Sequence, residues 1–78
     1  MSETILGMTQ HIASELVGSI AQVHAVVGQR VQEGEELVLM ESMKMEIPLL
    51  AEAAGTVTAV HVAPGDVVQE GDVVVVVD

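Results

Sequence analysis

Lys44 is the only lysine of the chain, and it stands in Glu41-Ser42-Met43-Lys44-Met45-Glu46, flanked by two thioethers and then by carboxylates. A solvated lysine is an ammonium at neutral pH, so it must be deprotonated before its nitrogen can act as a nucleophile. Cysteine is absent, which removes disulfides, thiol catalysis and zinc-thiolate sites together. His11, His24 and His61 are the remaining candidates for metal chemistry. None of them forms a local His-x-His or His-x₃-His pair, so they read as structural or surface histidines and no metal site is expected.

The elements around Lys44 predict a hairpin. Apolar residues Leu37 to Met40 and Ile47 to Leu50 flank the six-residue stretch. With Met43 and Lys44 as the two central turn residues, Ser42 faces Met45, Glu41 faces Glu46 and Met40 faces Ile47. Val38, Met40, Ile47 and Leu49 then share one face. Tight two-residue hairpins favour Asn-Gly or Asp-Gly, because both central residues need positive φ. Met and Lys in those places strain the backbone by roughly 1–3 kcal/mol per residue, and Glu41 opposite Glu46 sets like charges side by side. A lone lysine at a hairpin tip is ordinarily a solvated charge, and methionines are ordinarily flexible apolar filler. Elsewhere the chain obeys turn rules with glycine, and a rule broken where the sole lysine sits points to function.

The frame that holds this hairpin is an internal duplication. Gly18-Ser19-Ile20-Ala21-Gln22-Val23-His24 matches Gly55-Thr56-Val57-Thr58-Ala59-Val60-His61, and Val31-Gln32-Glu33-Gly34-Glu35 matches Val68-Gln69-Glu70-Gly71-Asp72. Gly28 and Gly65 align at the same offset of 37 residues, as do Glu15-Leu16-Val17 and Glu52-Ala53-Ala54. Two copies are too few for a solenoid, so the expected product is one pseudo-twofold domain of interlocked halves. Strands are predicted over Ile20 to Val26, Val57 to Val62, Leu37 to Met40 and Val73 to Val77, punctuated by turns at Gly28, Gly34, Gly65 and Gly71. No segment carries a helical period of useful length. About eight short strands imply an all-β sandwich or flattened barrel. Residues 1 to 8 lie outside the repeat and are expected to form a loose tail.

Composition narrows the partners. The 78 residues leave room for one domain without a cleft of its own. Half of them are hydrophobic with no Phe, Tyr or Trp, so the core must be aliphatic and valine-rich, which favours strands. Twelve acidic residues against Lys44 and Arg30 give a formal charge of −10, and such a chain repels nucleic acid. The N-terminal Met1-Ser2-Glu3-Thr4 lacks the basic and apolar regions of a signal peptide. Val73 to Val77 is too short to span a bilayer, so no membrane partner and a cytoplasmic location are expected. Beginning at Met1 without a Pro/Ala-rich linker reads as a free-standing subunit, whereas ending flush with the last strand reads as a piece of a longer chain.

The run Glu41-Ser42-Met43-Lys44-Met45 resembles the acceptor motif of biotinyl domains, the biotin carboxyl carrier members of the biotin/lipoyl attachment family, whose usual form is Glu-Ala-Met-Lys-Met. The resemblance covers about Thr9 to Asp78. It implies a flattened barrel, a barrel-sandwich hybrid, of two four-stranded antiparallel sheets with quasi-twofold symmetry. In that family the acceptor lysine sits at a hairpin tip and a Gly-Thr-Val segment follows; Lys44 and Gly55-Thr56-Val57 match. Ser42 departs from the commoner Ala, no proline precedes Gly18, and no thumb-like insertion lies between Ile20 and Arg30. Lipoyl domains share the fold but normally carry Asp-Lys-Ala, against which Met43 and Met45 argue.

The resemblance implies that a biotin protein ligase attaches biotin covalently to Lys44, with the ligase supplying the deprotonation. Glu41, Met43 and Met45 are the implied ligase-recognition residues. The loaded arm would then move carboxylate from a biotin carboxylase subunit to a carboxyltransferase subunit, typically of an acyl-CoA carboxylase, and the carrier itself would catalyse nothing. The competing readings are a lipoyl-type carrier of a 2-oxoacid dehydrogenase and an unmodified interaction domain.

Overall fold

The computed structural model describes residues 9–78, so the expected tail over residues 1 to 8 lies outside the described residues. Eight strands follow in order: β1 Gln10–Ala13, β2 Gly18–Val23, β3 Arg30–Val31, β4 Glu36–Ser42, β5 Met45–Leu50, β6 Gly55–Val60, β7 Val67–Val68 and β8 Val73–Val77. They form two four-stranded antiparallel sheets, ordered β1-β8-β6-β3 and β5-β4-β2-β7. Among the described residues there is no helix. None, therefore, is long and apolar enough to cross a membrane.

Moving 37 places along the chain carries one sheet onto the other, and the hydrogen bonds obey the same shift. Gly28 N–H donates to the Val57 carbonyl, and Gly65 N–H donates to the Ile20 carbonyl, both at 2.8 Å. Gly34 N–H reaches Ala51 O while Gly71 N–H reaches Ser14 O, again both at 2.8 Å. The irregular spots are duplicated too. The β2–β4 register slips between Ile20 and Gln22, and the β6–β8 register slips between Val57 and Ala59. Each half therefore satisfies backbone donors of the other, and neither half closes its hydrogen bonds alone. Gly28 and Gly65, at φ of 93° and 94°, supply the left-handed backbone that points these donors across the interface.

The core is aliphatic, as composition requires. Its thirteen buried apolar residues are Ile12, Ile20, Ala25, Val31, Leu37, Val38, Met40, Ala51, Val57, Val68, Val74, Val75 and Val77, and seven are valine. Each fully buried Val or Leu contributes about 1.5–3 kcal/mol through removal from water. Strict alternation fails at Leu37 and Val38, which are both buried. The register between β4 and β5 slips between Glu36 and Val38, and this bulge turns two consecutive side chains inward. The equivalent pair Val74 and Val75 is buried likewise.

Two expected boundaries are corrected. The strand predicted over Ile20 to Val26 runs from Gly18 to Val23, and the one over Val57 to Val62 runs from Gly55 to Val60. The early end has a local cause. His24 and Ala25 both donate their N–H groups to the single Leu37 carbonyl, at 2.9 and 3.0 Å, so the ladder bulges and ends there. The early start follows from Gly18 and Gly55, which pair with Val68 and Val31 of the opposite half.

Candidate functional site

The hairpin β4–β5 carries the site. Its ladder pairs Met40 with Ile47, Glu41 with Glu46 and Ser42 with Met45, the register that the sequence predicts. Met43 and Lys44 are the two central turn residues, with φ of 53° and 67°. Both lie in the left-handed region that L-residues other than Asn and Asp seldom enter. Among the described residues they are the only non-glycine residues at positive φ. Pro48 is tolerated in β5 because that strand is an edge of its sheet.

Everything at the apex faces outward. Lys44 is exposed, and Met43 and Met45 are 87% and 56% exposed, so a thioether stands uncovered on either side of the amine. Glu41 and Glu46 are exposed and opposite one another. Among the described residues the only ion pair joins His24 to Glu36, so Lys44 is not held down by either neighbouring carboxylate. An amine presented in this way, on a short rigid arm and clear of its own surface, suits acceptance of a covalent group from another protein's active site.

Two residues that sequence reasoning passed over hold the hairpin in place. Ser42 is buried, and its hydroxyl donates a 2.7 Å hydrogen bond to the Val17 carbonyl. Gly18 is the second. A Cβ there would stand 2.6 Å from the Glu41 carbonyl oxygen and 2.7 Å from Met40 Cε. The strand leading to Lys44 thus lies directly on the Val17-Gly18 backbone. The exchange of Ala for Ser in the motif is the one sequence signal that marks Ser42. Nothing local marks Gly18, because its crowding comes from β4.

The histidines are not brought together. His24 follows β2 and pairs with Glu36 through Nε2 at 2.8 Å, His61 follows β6 and His11 lies on β1. Among the described residues, no three side chains of His, Asp or Glu are grouped to hold a metal.

Comparison with known proteins decides the family. The sequence profile described as "Biotin-requiring enzyme", of the biotin/lipoyl family, matches residues 8–77. This chain belongs to the biotin/lipoyl family. It is a biotin carrier domain similar to parts of known carboxylases. The biotinylated protein TB7.3 homolog of Mycolicibacterium smegmatis is 52% identical over 44 residues, which are 56% of this chain and 62% of that protein. The biotin/lipoyl attachment protein of Bacillus subtilis is 39% identical over 40 residues, 51% of this chain and 55% of that protein. The aligned stretches thus span about three fifths or less of these relatives. Urea carboxylase from Kluyveromyces lactis superposes with a TM-score of 0.85 at 31% identity, covering 91% of this chain and 6% of the carboxylase. A single-chain, multi-domain long-chain acyl-CoA carboxylase gives 0.82 at 35% identity, covering 87% and 7%. The lipoyl domain of the Azotobacter vinelandii 2-oxoglutarate dehydrogenase complex gives 0.69 at 29% identity, covering 80% and 78%.

The carrier domain fits its family's cofactor chemistry. Biotin is held through one amide, and the hairpin offers one exposed lysine amine for it.

Proposed function

We propose that Lys44 is the covalent biotin acceptor, modified by a biotin protein ligase that reads Glu41, Met43 and Met45, and that residues 9–78 form the carrier domain. The observation that carries this reading is the hairpin apex, where the sole lysine sits at positive φ between two exposed thioethers. The strained turn holds the amine away from the domain. The methionines offer an uncharged, adaptable surface that separates a biotin ligase from a lipoylating enzyme. Glu41 stands one ladder pair below the apex, where a ligase gripping the tip would meet its carboxylate.

Once attached, biotin supplies a ureido nitrogen able to carry carboxylate between a biotin carboxylase site and a carboxyltransferase site. The chain's own contribution is mechanical. Two interlocked sheets keep the hairpin rigid, and tethering raises the effective concentration at each site to roughly millimolar without strong affinity. The carrier is non-catalytic. A carboxylase acting on an acyl-CoA is the proposed assembly, supported by the likeness to the long-chain acyl-CoA carboxylase. A cytoplasmic location, where ATP for the ligation is available, goes with this reading.

Coexpression with a biotin ligase followed by intact mass tests it. The wild-type chain gains one biotin and Lys44→Arg gains none. A wild-type chain that stays unmodified overturns the reading and leaves the interaction-domain alternative. Gain of lipoyl from a lipoate ligase instead moves it to a 2-oxoacid dehydrogenase.

A further inference from the structure

Five methionines are the chain's only sulfur atoms, and cysteine, tryptophan and tyrosine are all absent. Its two-electron redox chemistry with mild oxidants is therefore thioether chemistry. Three of the five fall within six residues, and the fold treats them in opposite ways. Met40 is 1% exposed, packed in the core with its Sδ 3.4 Å from the hydroxyl of buried Ser14. Met43 and Met45 stand on either side of Lys44 at 87% and 56% exposure. Met43 moreover occupies a left-handed turn position that Asn or Gly would fill without strain.

We propose that Met43 and Met45 form a reversible oxidation site that gates the use of Lys44, with a peroxide as the oxidant. A sulfur lone pair of the thioether attacks one peroxide oxygen. The O–O bond breaks and an S–O bond forms, sulfur loses two electrons, and with hydrogen peroxide the second oxygen departs as hydroxide and takes the proton of the transferred oxygen to leave as water. Each sulfoxide is chiral, so full reversal needs a reductase for each epimer. Because both residues are more than half exposed and neither belongs to the buried core, oxygen addition leaves the core packing untouched and the fold stands. What changes is the surface beside the amine. Two adaptable apolar thioethers become strong hydrogen-bond acceptors, and a ligase pocket shaped for thioethers must bury them without donors. Core Met40 is spared, so the modification reports oxidant at the attachment site without unfolding the carrier. This regulation rests on the proposed biotinylation of Lys44 and on the ligase's contact with the two methionines.

The test exposes the purified, unbiotinylated full chain to hydrogen peroxide, maps oxygen addition by peptide mass, and then measures the initial rate of loading by biotin ligase. Met43 oxidises first and Met45 next, while Met40 stays a thioether. The loading rate of the oxidised chain falls on the order of tenfold to a hundredfold. Treatment with both methionine sulfoxide reductases restores it. In a Met43→Leu, Met45→Leu variant, peroxide leaves the loading rate at the variant's own untreated value, although Met1, Met8 and Met40 remain. Equal loading before and after oxidation of Met43 and Met45 overturns the inference, as does oxidation of Met40 as fast as Met43. Failure of the untreated wild-type chain to load at Lys44 is a different result: it overturns the biotinylation reading and this regulation with it.

Discussion

The hydroxyl of Ser42 donates a 2.7 Å hydrogen bond to the carbonyl oxygen of Val17, joining the strand that leads to Lys44 to the segment entering β2. The bond lies two residues from the amine, at the last ladder pair before the turn, so it ties the tip end of β4 to the domain. Ser42→Ala removes the donor and leaves the Val17 carbonyl to find water, which it can do because Val17 is exposed. The expected loss is about 0.5–1.5 kcal/mol, read as a lower urea midpoint with an unchanged m-value. Lys44 remains a substrate for biotin ligase in this variant.

The apex turn should show the opposite balance. Met43 at φ 53° is strained, whereas Asn tolerates that region well. Met43→Asn is expected to stabilise the domain by about 0.5–1 kcal/mol, measured by thermal or urea unfolding. Biotin loading should slow at the same time, because a recognition thioether is gone. A variant that gains stability and loads at the wild-type rate would show that Met43 serves no ligase.

At Gly18 there is no room between β2 and β4 for a side chain. Gly18→Ala puts a methyl group against the Glu41 carbonyl and Met40 Cε, and the backbone atom cannot rotate away. The expected cost is about 1–3 kcal/mol, accompanied by faster amide exchange along the hairpin. Gly55→Ala, its repeat partner, meets the Asp78 carbonyl and Val77 Cγ1. It should cost a similar amount without loosening the hairpin.

Neighbouring residues Glu36 and Leu37 should differ sharply. Glu36 pairs with His24 at 2.8 Å, but both side chains are about 40% exposed. Solvent screening holds the value of such a pair below about 1 kcal/mol, and Glu36→Gln should move the melting temperature little. Leu37 is 1% exposed, and Leu37→Ala should cost about 2–5 kcal/mol. In a domain this small that loss unfolds a measurable fraction of the chain at ambient temperature.

The sequence by itself determined what depends on neighbours along the chain. Glycines at Gly28, Gly34, Gly65 and Gly71 dictate turns, alternation dictates strands, and the spacing around Lys44 dictates a two-residue hairpin with Met43 and Lys44 at positive φ. The repeat of 37 residues determined that the halves must correspond, and the Glu41-to-Met45 run gave the family. The tertiary structure alone decided how those pieces meet. Valine-rich strands offer nearly equivalent faces to one another, so nothing local in Ile20 or Val57 says that Gly65 and Gly28 will donate to them across the domain. Burial of consecutive Leu37 and Val38 needs the bulge opposite β5, and the role of Ser42 needs Val17 beneath it. Long-range pairing is chosen by the simultaneous satisfaction of all backbone groups around one core. That condition belongs to the folded chain as a whole, and no single segment carries it.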